Sequence, residues 1–125
     1  MNSARNEIVS GMDPIDAINA ATDSGVLVRD GRELSEYISK YPQVGRAVIE
    51  VIPPLARAFS ADSQVSLEFF RSQSEADSYP VFFIRQSNYQ PDIMARIGDF
   101  LGRHEEHFSF SSGWLGVTTD FRPPR

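Results

Sequence analysis

The chain has no cysteine among its 125 residues. This excludes disulfide bonds, thiolate nucleophiles and thiolate metal ligands in a single step. No apolar stretch approaches the roughly 20 residues that a membrane helix requires. The first ten residues, MNSARNEIVS, also lack the apolar core of a secretory signal. We therefore expect a cytoplasmic protein that does not enter a membrane.

Positive charge is scarce and dispersed along the chain. The eleven arginines are scattered singly and Lys40 is the only lysine, which leaves a net charge of −5 and a pI of about 4.9. Phosphate backbones repel such a surface unless its basic residues cluster. The composition therefore argues against nucleic-acid binding and favours solubility or attraction to a basic protein partner.

Motifs for catalysis, metal binding or nucleotide binding are absent or weak. The sequence contains no Gly-x-Ser-x-Gly elbow and no P-loop. His104 and His107 are weak candidates for metal ligands, because they lie three residues apart and a zinc-protease helix spaces its histidines by four. Their position in the last turn of a helix explains them more simply. Glu68 and Asp120 could form an acid–base pair on one sheet face, although spacing alone does not show whether they meet. We expect no cofactor, and the sequence does not indicate an enzyme.

Large apolar side chains are plentiful: the chain has nine Phe, four Tyr and one Trp, and 41% of its residues are hydrophobic. These values are ordinary for a globular protein and predict a single domain over residues 1–125. Residues 1–29 are the least patterned and form an N-terminal arm that we expect to be partly mobile. Within this arm, Asp13-Pro14 starts a short helix and residues 26–28 are extended.

Hydrophobic periodicity predicts three longer helices. Asp30 and Glu33 are spaced as a capping box at the start of the first, which Pro42 ends. The second follows directly, and Pro53-Pro54 predicts either a kink in it or two abutting helices packed on one surface. Its apolar residues form one stripe: Val44, Val48, Val51, Ile52, Leu55 and Phe59. Pro91-Asp92 opens the third. Alternation with period two predicts three strands, over residues 64–71, 81–87 and 114–121.

This order of elements predicts an α+β fold with a three-stranded, mainly antiparallel sheet and helices packed mainly on one face. The crossover helix makes strand three parallel to strand two. If strand three adds beside strand one, all neighbours are antiparallel, and we predict this order, 2-1-3.

Several segments of the chain carry a resemblance. Tyr41-Pro42 before a hydrophobic helix, Leu67-Glu68, residues 83–86 and residues 116–121 together resemble small bacterial proteins with a helix-rich αββαβ pattern. The resemblance covers the chain from Tyr41 onward. It implies the order of the elements only, since it brings no known activity and no catalytic residues.

The sheet face turned away from the helices is the predicted binding surface. Strand two contributes to it either Phe82, Ile84 and Gln86 or Val81, Phe83 and Arg85, depending on register. Exposed aromatic side chains are costly for a monomer, and aromatics with arginine are typical interface anchors. The candidate binding residues are Phe70, Arg85, Trp114, Thr118 and Asp120. The alternative is that the N-terminal arm covers this face and makes it core.

These patterns favour a small acidic protein-binding module, such as an accessory, inhibitor or immunity-type protein. Its partner would be another protein or a second copy of the chain. The alternative is a small ligand-binding domain or enzyme with a site between the sheet and the helices, using Arg85, Glu68, Asp120 or the two histidines.

Overall fold

The computed structural model of the protein describes residues 13–125, which form four α-helices and a four-stranded mixed sheet. The α+β class predicted from the sequence is therefore confirmed. The helices are α1 (Pro14–Asp23), α2 (Gly31–Lys40), α3 (Pro42–Phe59) and α4 (Ile93–Arg103). The strands are β1 (Leu27–Val28), β2 (Gln64–Phe70), β3 (Tyr79–Arg85) and β4 (Gly116–Thr118). Two short 3₁₀ turns, Glu75–Asp77 and Glu105–His107, lie in the longer connections.

The described part of the N-terminal arm is folded. The predicted cap of α1 is confirmed, because the Asp13 carboxylate accepts a hydrogen bond of 3.0 Å from the Ile15 amide. Ala17 and Ala21 on this helix are fully buried in the core. Residues 1–12, which include the whole segment MNSARNEIVS, lie outside the described residues.

The capping box predicted at Asp30 is not formed. Asp30 has a φ of 60° and its side chain makes no capping hydrogen bond. Instead, its carboxylate accepts a hydrogen bond of 3.1 Å from the Phe69 amide, and Glu33 pairs with Arg71. Both carboxylates thus make contacts at the end of β2 instead of forming the reciprocal capping box.

The helix α3 continues through Pro53 and Pro54, where the sequence predicted a kink or two abutting helices. Its predicted apolar stripe is confirmed, because every member is buried: Val44, Val48, Val51, Ile52, Leu55 and Phe59. The stripe remains in register across the two prolines, so burial of this face stabilises the helix where backbone hydrogen bonds are lost.

None of the helices in residues 13–125 has both the length and the apolar character of a membrane-spanning segment.

The predicted three-stranded sheet with order 2-1-3 is wrong in two respects. Residues 27–28, placed in the arm by the sequence, form a fourth strand that pairs in parallel with β2. Because β1 occupies the free edge of β2, the last strand pairs with β3 instead, with Val81 opposite Gly116. The order is β1-β2-β3-β4, and only the central β2–β3 pair is antiparallel. The predicted parallel orientation of the last strand and β3 is confirmed.

A single core lies between the sheet and the helices. Leu67, Phe82 and Ile84 are fully buried there, and all four helices contribute apolar side chains to the same cluster. Strand alternation therefore places the even-numbered residues of β2 and the odd-numbered residues of β3 on the opposite side of the sheet. We call that side the outer face.

Candidate functional site

The outer face carries the set from β3 that includes Val81, Phe83 and Arg85. This resolves the two alternatives of the sequence, because Phe82 and Ile84 belong to the core. In the β2–β3 ladder, Gln64 lies opposite Arg85 at one end and Phe70 lies opposite Tyr79 at the other. The outer face therefore has a polar end and an aromatic end.

The polar end is built around Arg85, which is only 1% exposed. Its Nε and Nη2 donate to the two carboxylate oxygens of Asp120 at 3.1 and 2.9 Å, and its Nη1 donates to Glu68 Oε2 at 2.7 Å. The guanidinium also lies 4.8 Å from the centre of the Phe83 ring. Arg125 Nε donates to the same Glu68 oxygen at 3.2 Å. We call Glu68, Arg85, Asp120 and Arg125 the ion cluster.

The electrostatics of the ion cluster follow from burial and pairing. Burial raises the pKa of Glu68, but hydrogen bonds from Arg85 and Ser66 outweigh that effect, and the net pKa is lowered. The hydrogen bonds from Arg85 lower the pKa of Asp120. Burial opposes the charge of Arg85, yet the two carboxylates raise its pKa above the ordinary value. All three groups are thus held in their charged forms.

The segment after β4 lies across this polar end. The Gln64 side chain makes two hydrogen bonds with the backbone of Arg125, at 2.9 and 3.0 Å. The Tyr89 hydroxyl donates to the Arg122 carbonyl at 2.6 Å. Because Arg85 is only 1% exposed and each of its three nitrogens donates to a carboxylate, the polar end has a structural role in the described chain.

The aromatic end consists of Phe70, Tyr79 and Trp114. The centroids of the Phe70 and Tyr79 rings lie 5.5 Å apart. Trp114 lies two residues before Gly116, so the β3–β4 register, extended by two residues, places it next to Tyr79. Tyr79 packs over Gly116, where a Cβ atom would lie 3.3 Å from the ring. Trp114 is 65% exposed and Phe70 is 43% exposed.

The backbone at Trp114 is fixed by its neighbours. Its amide donates to the Tyr37 hydroxyl at 2.9 Å. Gly113 adopts a φ of 85° and packs so closely that a Cβ would lie 2.9 Å from a Val44 methyl and 3.0 Å from the Tyr41 ring. The most exposed large apolar side chain of the described residues is therefore presented by a well-held backbone.

The five predicted binding residues are thus divided between two places. Phe70 and Trp114 lie on either side of Tyr79 at the aromatic end, whereas Arg85 and Asp120 form an ion pair at the polar end. Thr118 lies between the two ends, opposite Phe83 and partly buried. Sequence reasoning missed Tyr79, because strand two was started at Val81. If the strand is extended back through Pro80, its alternating pattern places Tyr79 on the same face as Val81, and this was the signal for Tyr79.

The predicted acid–base pair and histidines have specific partners. Glu68 and Asp120 do share the outer face, but Arg85 bridges them, and both lie on the side of the sheet away from the helices. The His104 ring packs at a tilt against Phe100 with centroids 4.5 Å apart, and His107 Nδ1 lies 3.3 Å from a Glu50 oxygen. Residues 13–125 contain no group of three or more side chains arranged to hold a metal ion.

No protein-family model matches this chain, and no curated protein or solved structure shows significant similarity to it.

Proposed function

We propose that this protein is a small protein-binding module whose contact surface is the aromatic end of the sheet. The observation that carries the proposal is the 65% exposure of Trp114, at the same end of the sheet as Phe70, which is 43% exposed. Tryptophan and tyrosine are enriched among the residues that dominate binding energies at protein interfaces. The ion cluster lies at the other end of the same sheet face, where Arg85 is held by Glu68 and Asp120.

The expected contribution of Trp114 follows from its exposed area. An aromatic side chain buries roughly 150–250 Å², so covering a ring that is 65% exposed removes about 100–160 Å² from water. At about 25 cal/mol per Å² this corresponds to roughly 2.5–4 kcal/mol. Such a value is typical of an interface hot spot.

The fixed backbone supports the same proposal. Side chains that are already held in place lose less conformational entropy when a partner binds. The Tyr37 hydroxyl and the close packing of Gly113 fix the chain at Trp114, and Tyr79 is seated over Gly116. The aromatic end is thus organised before binding.

Net charge favours a different protein over a second copy of the chain. Two copies that each carry a charge of −5 repel one another, whereas a partner with a positive surface is attracted. We therefore assign the surface to a heterologous partner with basic character.

Affinity capture with three forms of the protein tests this assignment. The forms are the native chain, Trp114→Ala, and the matched control Met94→Ala, which removes another exposed apolar side chain on α4. A protein retained by the native chain and the control is purified, and its dissociation constant is measured by calorimetry. We expect Trp114→Ala to weaken binding at least about 30-fold, the effect of a hot spot of 2 kcal/mol or more.

Three results would overturn the assignment. One is a purified partner that binds Trp114→Ala as tightly as the native chain. Another is the absence of any captured partner together with a monomer in light scattering. A dimer of the chain that dissociates on Trp114→Ala would replace the heterologous partner with self-association. Circular dichroism of each variant establishes that the fold is retained.

A further inference from the structure

A groove of about 580 Å³ lies beside the aromatic end, on the helix side of the sheet. One wall is the polar face of α2 and the other is the segment that leaves β2, residues 71–78. We call it the α2 groove. Its lining includes an aromatic set, Tyr37, Tyr41 and Phe69, and a charged set, Glu33, Glu36, Lys40, Arg71 and Glu75.

The aromatic set presents ring faces that suit a cation. The Tyr37 ring lies 4.7 Å from Tyr41 and 5.7 Å from Phe69. Such faces carry negative electrostatic potential and attract ammonium or guanidinium groups. The chain itself illustrates this, because the Lys40 ammonium lies 5.5 Å from the centre of the Tyr41 ring.

The charges that remain unpaired in the groove are mainly negative. Arg71 is engaged by Glu33 and by Asp30, so its charge is neutralised within the chain. Among residues 13–125, Glu36 pairs only with the exposed Arg32, at 3.6 Å on the preceding helical turn. The Glu75 side chain has no hydrogen bond or ion pair within residues 13–125. Two carboxylates therefore flank the rings against the single ammonium of Lys40.

The groove is continuous with the proposed binding surface through Tyr37. The ring of Tyr37 lines the groove, while its hydroxyl accepts the hydrogen bond from the Trp114 amide. A partner segment that covers Trp114 thus lies within a few residues' reach of the groove.

We propose that the α2 groove receives an arginine side chain of the same partner that covers Trp114. A guanidinium can stack on an aromatic face and pair with carboxylates at the same time, which suits the tyrosine rings and the carboxylates of Glu36 and Glu75. This inference rests on the proposed protein-binding function and adds the chemistry of the partner to it.

The test uses a small probe, so that it does not depend on the aromatic end. N-acetyl-arginine amide is titrated into the protein at low ionic strength, and backbone amide shifts are followed by NMR. N-acetyl-citrulline amide is the neutral isosteric control. We expect the arginine probe to shift the amides of Tyr37, Ser72 and Ala76, and the citrulline probe to leave them unchanged.

Variants of equal charge change locate the site. Glu75→Gln is expected to weaken probe binding about two- to fivefold, the range for an exposed ion pair. Glu106→Gln, an equal change on a remote 3₁₀ turn, is expected to have no effect. Lys40→Gln is expected to tighten binding by a similar factor, because it removes the resident ammonium from the Tyr41 ring.

Binding of citrulline, or equal effects of Glu75→Gln and Glu106→Gln, would overturn the arginine site. Trp114→Ala leaves the groove intact. Binding of the arginine probe therefore tests the groove, and binding of the partner to Trp114→Ala tests the proposed function, so the failure of one is distinguished from the failure of the other. A partner that depends on Trp114 while the probe fails would leave only the proposed function standing.

Discussion

Replacing Arg85 by methionine is the sharpest test of how the outer face is held together. The change removes three hydrogen bonds to carboxylates, two of them to Asp120 and one to Glu68. It leaves Glu68 buried, with Ser66 and Arg125 as its remaining partners. Breaking a buried ion pair by removing one partner typically costs about 3–5 kcal/mol. Because Arg125 still compensates part of the charge, we expect about 3 kcal/mol.

The chain offers a matched control in Arg96→Met. Arg96 also pairs with an aspartate, Asp62, and also lies over a phenylalanine ring, 5.1 Å from the centre of Phe59. The Arg96 and Asp62 side chains are 29% and 45% exposed, whereas Arg85 is almost completely buried. Exposed pairs contribute roughly 0–1 kcal/mol, so the two variants should differ by about 2 kcal/mol or more.

The pH dependence follows from the lowered pKa values of Glu68 and Asp120. A carboxylate whose pKa is lower in the folded state stabilises the fold above its unfolded pKa, and this contribution is lost as the pH falls through the folded pKa. In Arg85→Met, the buried Glu68 carboxylate has lost the positive charge of Arg85. Protonation of Glu68 at low pH therefore removes part of the free-energy cost of burying its charge. The difference in stability between the native chain and the variant should therefore shrink as the pH falls below about 4, near the ordinary carboxyl values.

Urea denaturation followed by far-ultraviolet circular dichroism measures this difference. With a slope near 2 kcal/mol per molar, typical of a small protein, the midpoint for Arg85→Met should fall by about 1.5 M. A fall no larger than that of Arg96→Met would refute the assignment of a stabilising role to the ion cluster. A difference that grows on acidification would refute the electrostatic explanation.

Other changes test the packing around the two ends of the outer face. Gly113→Ala should destabilise the fold by about 2–4 kcal/mol, because it combines a positive φ with contacts of 2.9 to 3.0 Å at Val44 and Tyr41. The control Gly98→Ala, in α4 with no atom within 4 Å of the new Cβ, should stabilise it by roughly 0.5–1 kcal/mol. Thermal unfolding distinguishes them, and equal melting temperatures would contradict the packing at Gly113. Gln64→Ala should speed hydrogen exchange at the Arg125 amide, which loses its acceptor; an unchanged NMR exchange rate would show that the tail is held by other contacts.

The local sequence determined most of the elements and which of their faces is buried. The apolar stripe of α3 and the alternating pattern of β2, which includes Leu67, each predict a buried face. Apolar side chains that repeat every 3.6 residues in a helix, or every second residue in a strand, lie on one side of the element. The cap at Asp13 was predictable for the same kind of reason, since it requires only a carboxylate next to a proline at the helix start.

The pairing of elements was decided by tertiary structure. β1 has only two residues, too few to give a periodic signal, yet its occupation of the β2 edge sets the position of β4. Asp30 shows the same effect, because the nearby Phe69 amide competes for the carboxylate that would cap α2.

The pairing of the strands also divided the candidate site into two parts. The sequence identified Trp114, Phe70, Arg85 and Asp120, but it placed them on one undivided face. The β2–β3 register separates the buried ion pair from the exposed aromatic rings, and the segment after β4 covers only the polar end. The periodicity of the sequence shows which side of a helix or strand is apolar. The pairing of strand edges and of charged side chains depends on residues that are far apart along the chain.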